Sequence, residues 1–150
     1  MQTAQVILIS FVTALLSGGL VSLLVSHWLD GRRRRIEMLE ELATKLNVAA
    51  RPVRAAHFHG NSLLEPDTRV AMGDCLDAMT EMAVRAATMR RYRKLGKALL
   101  DACTEFMQAD RARDGQGLLK AILRGKALAS FGLAAPKQVE DLVPGPEPTV

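Results

Sequence analysis

The sequence predicts an all-α protein in which one N-terminal transmembrane helix continues into a small cytoplasmic bundle of three to four helices. Residues 6–26 contain no charged side chain. After them, apolar residues recur at steps of three and four, and no stretch alternates in the way typical of half-buried strands. Ala, Leu, Met, Arg and Glu are frequent, and these residues favour helices.

The predicted transmembrane helix is residues 6–29, after a short extracytoplasmic N-terminus of residues 1–5. A helix over residues 6–26 is about 31 Å long, close to the thickness of the hydrocarbon core of a bilayer. Apolar residues fall on every side of it, so it has no polar face for water. Trp28 follows the apolar run, where its ring suits the headgroup level.

The charges next to the span predict its orientation. Arg32, Arg33, Arg34 and Arg35 follow it, whereas no Lys or Arg precedes it. By the positive-inside rule the N-terminus lies outside and the C-terminus in the cytoplasm, in a single-pass protein. The alternative, a cleaved secretory signal, fits less well because the stretch has no basic n-region and a long apolar core. The excess of Arg over Lys suggests a bacterial inner membrane.

Small residues recur every four positions along the span, which suggests that it associates with another helix. Rows of this kind let two helix backbones approach closely in lipid. The alternative is that small residues are simply common in membrane helices. The row consists of Ser10, Ala14, Gly18, Ser22 and Ser26.

The predicted cytoplasmic helical domain is residues 30–133, followed by a flexible Pro-rich tail, residues 134–150. Its first helix runs from the span to about residue 56, with a kink or an earlier stop at Pro52 as an alternative. Residues 57–68 are the expected loop, with Asp67 or Thr68 capping the next helix. The apolar stripe of the first helix is Ile36, Leu39, Leu42, Leu46, Ala49 and Val53.

Three more apolar stripes complete the predicted bundle. The second helix carries Met72, Cys75, Met79, Met82, Ala86 and Met89 at heptad spacing, suited to a core or to a partner groove. The third stripe is Leu95, Leu99, Ala102, Phe106 and Ala109, with a helix break near Gly96 left open. A turn is expected over residues 114–117. A last helix is marked by Leu118, Leu119, Ile122, Leu123 and Phe131, and ends at Gly132 or Pro136.

The first two stripes match if the second helix folds back antiparallel on the first, as a short connection favours. The matched register forms a seam of Leu39, Leu42 and Leu46 against Met72, Cys75, Met79 and Met82. It sets Glu40 beside Arg85, and residues 32–35 beside residues 90–93. Two arginine clusters would repel in water but can share anionic lipid. Arg90, Arg91, Tyr92, Arg93 and Lys94 are therefore predicted to lie at the headgroups, with Tyr92 near the interface.

The sequence shows no pattern of a catalytic or cofactor-binding site. His57 and His59 lack a third and fourth ligand at a fixed spacing, which favours loop histidines over a metal site. Cys75 and Cys103 lack CxxC spacing and suit the core of a protein in a reducing compartment. No phosphate-binding loop or nucleophile motif is present. We therefore expect a protein that is not an enzyme and needs no metal or cofactor.

The expected function is that of a membrane-anchored helical adaptor or accessory subunit that acts through helix packing. Its expected partners are anionic lipid and either further copies of itself or a larger membrane complex. The alternative is a membrane-tethered nucleic-acid-binding protein that uses the basic run 85–97, with Tyr92 as a stacking group. A pore-forming role is disfavoured because one span needs many copies to line a pore.

Overall fold

The computed structural model describes the backbone of residues 2–60, 63 and 65–139, and within these ranges the side chains from residue 22 onward. Helix α1 is Gln2–Phe58, α2 is Pro66–Ala87, α3 is Arg93–Arg111 and α4 is Gly115–Ala134. A short 3-10 helix, Arg90–Tyr92, connects α2 to α3. The described residues contain no strand, and the prediction of an all-α fold is confirmed.

The chain divides into two compact units, Met1–Glu37 and Met38–Val150. The first unit is a single helical stretch, and its described side chains, residues 22–37, are almost all exposed. We call residues 22–37 the outer helix segment. No helix within the described residues is long and apolar enough to span a membrane. Most of the predicted span, residues 6–21, has no described side chains.

The second unit is a four-helix bundle, which we define as residues 38–139. Helix α2 packs on α3, and α3 packs on α4. Every member of the seam is buried, as are all five residues of the α3 stripe. The seam is therefore bundle core, which settles the choice between a core and a partner groove. Of the α4 stripe, Leu123 and Phe131 are exposed, so their assignment to the apolar face was wrong.

The first connection is shorter than predicted. Helix α1 continues through Pro52 to Phe58, so the alternative of an earlier stop at Pro52 was wrong. Helix α2 begins at Pro66, with Glu65 as its N-cap. The predicted cap at Asp67 or Thr68 is wrong because Pro66 already occupies the first turn, where its fixed φ favours helix initiation. Thr68 is instead buried.

The break between α2 and α3 lies at residues 88–92, not near Gly96. Gly96 is inside α3, where α2 and α3 come into backbone contact. A Cβ at this position would lie 2.6 Å from the backbone nitrogen of Ala87 and 2.8 Å from the carbonyl oxygen of Ala83. Gly96 therefore permits the close approach of two helices rather than interrupting one of them.

Two ion pairs link neighbouring bundle helices, and one side chain caps α4. Arg69 at the start of α2 pairs with Asp110 at the end of α3, at 3.4 Å. Arg124 of α4 pairs with Glu105 of α3. The side chain of Asp114 accepts a hydrogen bond from the backbone N–H of Gln116 at 3.1 Å, which caps α4. The turn before α4 lies at residues 112–114, so the predicted turn over residues 114–117 was placed too late: residues 115–117 are already helical.

The C-terminal end of the bundle differs in part from the predicted flexible tail. Helix α4 ends at Ala134, and Val139 beyond it is buried. Residues 135–139 therefore belong to the folded bundle. The rest of the predicted tail, residues 140–150, lies outside the described residues.

Candidate interaction surfaces

The outer helix segment begins with several exposed large apolar side chains. Leu23 is 68% exposed, and four other large apolar side chains are at least half exposed: Leu24, Val25, Trp28 and Leu29. Ser22 and Ser26 of the small-residue row are exposed as well. The other members of that row, Ser10, Ala14 and Gly18, lie outside the residues with described side chains. Their packing role stays a prediction.

The four arginines that follow are exposed, and Arg32 and Arg33 have local partners. The guanidinium of Arg32 lies 5.7 Å from the ring centroid of Trp28, within the range of a cation–π contact. Arg33 Nε donates a hydrogen bond to Glu37 Oε1 at 2.9 Å. Exposed pairs one turn apart stabilise a helix only slightly. The positive surface of residues 32–35 therefore remains open to solvent or headgroups.

The second basic run is arranged differently from the prediction. Arg90, Arg91 and Arg93 are exposed, as are Lys94 and Lys97. Tyr92 is only 4% exposed, because the 3-10 turn carries its ring into the bundle. The ring therefore does not offer the open face that headgroup contact or base stacking needs, which corrects its predicted role. The arginines belong to the other unit from residues 32–35, and their shared contact with lipid stays a prediction.

Arg85, at the start of the basic run, is engaged within the bundle. Its guanidinium donates two hydrogen bonds to Glu81 Oε1, at 2.7 and 3.0 Å. Arg85 Nη1 also lies 3.7 Å from the sulfur of Met38. The prediction that Arg85 pairs with Glu40 was wrong. Arg85 pairs with Glu81 instead, because Glu81 lies one helical turn away on α2. The contact with Met38, two positions from Glu40, nevertheless agrees with the antiparallel return of α2 on α1.

A cleft of about 670 Å³ lies between α1 and α2 on the bundle surface. We call it the acidic cleft. Its walls carry Glu41, Asp74, Asp77 and Glu81, with Lys45 as its one cationic group. Lys45 pairs with Glu41 at 3.4 Å. Val48 lines the cleft and is 54% exposed, so an apolar strip lies between the acids.

A second cavity, of about 500 Å³, lies between the end of α1 and the start of α4. We call it the basic pocket. It is lined by Arg51, Arg54, Ala55, His57, Phe58, His59, Leu119 and Leu123. The rings of Phe58 and His59 meet edge to face at 5.8 Å. Sequence reasoning missed this site because it treated residues 57–59 as loop. The spacing of Arg51, Arg54 and Phe58 on one helical face was the available signal.

The two cysteines are buried core residues, as the sequence predicted. Burial raises the pKa of the Cys75 thiol to about 11, and the negative charge of Asp74 adds to the effect. Burial also raises the pKa of Cys103, although a hydrogen bond with Thr80 acts against it. The two atoms of that bond, Thr80 Oγ1 and Cys103 Sγ, are 3.6 Å apart. Thiols in this state are poor nucleophiles.

The two histidines of the predicted loop lie at the end of α1. His57 is in the last helical turn, and His59 follows directly after the helix. Both are exposed. Within the described part of the chain, no group of three or more His, Cys, Asp or Glu side chains is placed to hold a metal ion.

These surfaces have no counterpart from which a role can be transferred. No protein family, curated protein or solved structure matches this chain.

Proposed function

We propose that the protein is a non-catalytic, membrane-anchored adaptor or accessory subunit that binds its partners through helix packing. The N-terminal helix spans the membrane once, with its N-terminus outside, in the inner membrane of a bacterium. The helical bundle faces the cytoplasm. Partners are anionic lipid and either further copies of the chain or a larger membrane complex.

The observation that carries this proposal is the exposed apolar surface of residues 23–29. Five large apolar side chains in seven positions lie open. Full burial of a Leu or Val side chain is worth about 1.5–3 kcal/mol, so their exposure to water is unfavourable. The helix that carries them also contains the uncharged residues 6–26. A lipid environment accommodates both features.

The arginines after this surface support the orientation. Basic residues near an anionic leaflet gain about 1 kcal/mol each. Arg32 lies over the exposed ring of Trp28, which keeps an aromatic group and a cation together at one level of the helix. The second cluster of Arg90, Arg91, Arg93 and Lys94 adds to the attraction if α2 returns to the membrane. Tyr92 takes no part because its ring is buried.

The acidic cleft supports the adaptor role. A groove between two helices accepts the side-chain ridge of a third helix. Asp74 and Asp77 lie in the cleft with an exposed valine and with the ion-paired Glu41 and Glu81, and this lining suits a partner helix that is basic and amphipathic. The oligomeric alternative uses the span instead, through Gly18 and Ser22. A membrane two-hybrid assay of Gly18→Leu and Ser22→Leu tests it, because bulky groups there separate the backbones.

The first experiment tests the anchor. Leu23→Lys/Leu24→Lys adds two charges to the exposed apolar surface, and each costs about 2.5–3.5 kcal/mol near a bilayer centre and less toward its edge. We expect a larger fraction of the chain to be released from membranes by alkaline carbonate. The control is Val84→Lys, which replaces an exposed valine of α2. Equal release of both variants, or release of the wild type, contradicts the anchor.

The second experiment tests the partner. Crosslinking in native membranes, followed by mass spectrometry, identifies the proteins that contact the chain. We expect Val48→Asp to remove a specific crosslinked subunit, while Val70→Asp, at an exposed site outside the cleft, retains it. Salt-dependent binding of the full chain to DNA or RNA through Arg90, Arg91 and Arg93 would favour the nucleic-acid alternative instead.

A further inference from the structure

The basic pocket combines cationic and apolar groups in a way that the adaptor role does not use. It lies at the end of α1 that is remote in sequence from the predicted span. Arg51 and Arg54 stand three positions apart, so both guanidinium groups lie on one side of α1. No carboxylate lines the cavity. An arginine fork binds phosphate and carboxylate groups with two parallel hydrogen bonds.

The charge balance of the pocket favours an anion despite the helix end. The C-terminus of a helix carries about half a negative charge, which disfavours an anion nearby. Two guanidinium groups supply two full positive charges, which outweigh it. The rings of His57 and His59 add N–H groups at the rim. Together these charges give the pocket a positive electrostatic potential.

The floor of the pocket is apolar and partly uncovered. Phe58 is 88% exposed, and Leu123 on α4 is also exposed. Leu119, one turn before Leu123, also lines the pocket and is buried. An aromatic ring left open beside two aliphatic side chains favours a flat apolar ligand. The cavity of about 500 Å³ falls within the range of about 300–1,000 Å³ that is typical of small-molecule sites.

We propose that the basic pocket binds a small organic anion whose phosphate or carboxylate group contacts Arg51 and Arg54. Its aromatic or similarly sized apolar body rests on Phe58, Leu119 and Leu123. The site is distinct from the acidic cleft and from the predicted span, so it does not depend on the adaptor function.

The probe for the test is 1-naphthyl phosphate, which joins a doubly charged group to a flat apolar ring. Its binding to the full chain in lipid nanodiscs is measured by titration calorimetry, with empty nanodiscs as the blank. We expect saturable binding with one site per chain. 1-Naphthoate carries a carboxylate in place of the phosphate. Of these two anions, the one that binds more tightly identifies the preferred head group. Inorganic phosphate should bind at least about tenfold more weakly, because it lacks the apolar body.

Variants then locate the site. Arg51→Ala/Arg54→Ala removes both forks and should weaken the binding of 1-naphthyl phosphate by tenfold or more, since the charge-assisted hydrogen bonds to the phosphate are lost. Phe58→Ala should weaken it about three- to tenfold. Arg111→Ala, at an exposed position at the end of α3, is the matched control and should bind like the wild type. Circular dichroism checks that each variant keeps its helix content.

Three results would overturn the proposal. The first is the absence of saturable binding of either naphthyl anion above the nanodisc blank. The second is an unchanged affinity in Arg51→Ala/Arg54→Ala, which would place the anion elsewhere. The third is equal affinity for inorganic phosphate and 1-naphthyl phosphate, or for the wild type and Phe58→Ala, since the apolar floor would then contribute nothing.

Discussion

The outer helix segment and the helical bundle use similar apolar residues in opposite ways. In the bundle, Leu39, Leu46 and Leu99 are completely buried, whereas Leu23 and Leu24 in the outer segment are more than two-thirds exposed. Leucine is therefore not a marker of core in this chain. The two groups of leucines differ in their neighbours. The leucines of the bundle pack against other helices, whereas the unit that contains the outer segment has a single helix. The bundle buries its leucines by internal packing, and the outer segment leaves its leucines exposed.

Substitutions should therefore affect the folding stability of the bundle and the membrane retention of the outer segment independently. A substitution that disrupts packing should unfold the bundle and leave the chain in the membrane fraction. A charge in the apolar surface of the outer segment should release the chain and leave the bundle folded. Urea-dependent proteolysis of the full chain in membranes reports bundle stability, because cleavage follows the population of the unfolded form. The substitutions below sharpen this contrast, beginning with the largest expected effect.

Leu99→Ala should have the largest effect. Leu99 is 0% exposed and Leu100, its neighbour on α3, is 43% exposed. Truncation of a fully buried leucine removes transfer energy and leaves a cavity, at a cost of about 2–5 kcal/mol. Leu100→Ala has the same chemistry and should cost less than about 1 kcal/mol. Similar urea midpoints for the two variants would mean that α3 is not packed as described.

Gly96→Ala tests the close approach of α2 and α3. The added Cβ would meet the backbone of Ala83 and Ala87, which cannot move aside as a flexible side chain can. We expect a loss of about 1–3 kcal/mol, the usual range for overpacking. Gly73→Ala is the matched control, because its Cβ would meet nothing within 4 Å. It should instead stabilise α2 by up to about 1 kcal/mol through helix propensity. Stabilisation by both substitutions would contradict the backbone contact.

Asp114→Ala tests the capping of α4. The substitution removes the hydrogen bond to the N–H of Gln116, and such a loss typically costs about 1 kcal/mol. Glu65 is the N-cap of α2 but makes no side-chain capping bond, so Glu65→Ala should be close to neutral. The same proteolysis assay measures both. A cost for Glu65→Ala that equals the cost for Asp114→Ala would show that the bond to Gln116 does not account for the effect.

The sequence predicted the bundle well where periodicity was uninterrupted. The stripes of α2 and α3 are buried nearly as expected, because a one-sided apolar pattern leaves a helix only one way to face the core. The antiparallel return of α2 was also predicted, since the short connection allows little else. These features depend on local sequence alone.

Features that depend on a single close contact were not predictable in the same way. Gly96 has the sequence signature of a helix breaker, and only the position of α2 reveals that it permits close packing. Tyr92 stands among arginines, so its polar neighbours indicated a solvated face, whereas the 3-10 turn directs it inward. Phe131 was assigned to the apolar stripe although it follows Ile122 by nine positions, about half a turn around α4 from the buried face, and it is exposed. The basic pocket is lined by residues of α1 and α4, which are far apart in the sequence, and periodicity does not predict which distant helices lie side by side.

The last test concerns Cys75 and the pH dependence of bundle stability. The thiol titrates near pH 9.0 in an unfolded chain and at about 11 in the folded bundle, mainly because of burial. Between these pH values the unfolded state holds fewer protons than the folded state, so the free energy of unfolding falls as the pH rises. The contribution is fully present below pH 9 and is lost above pH 11. Cys75→Ala should therefore make stability less dependent on pH across this window.

The measurement is the urea midpoint of wild type and variant at pH 8 and at pH 10.5. We expect the wild type to lose more stability between the two conditions than Cys75→Ala does, whatever the offset from the smaller side chain. Cys103→Ala should reduce the pH dependence less, because the hydrogen bond with Thr80 opposes the effect of burial. The outer segment contains no cysteine, so membrane retention should be the same for all three proteins. Parallel loss of stability in wild type and Cys75→Ala would show that other groups, not this buried thiol, govern the alkaline response of the bundle.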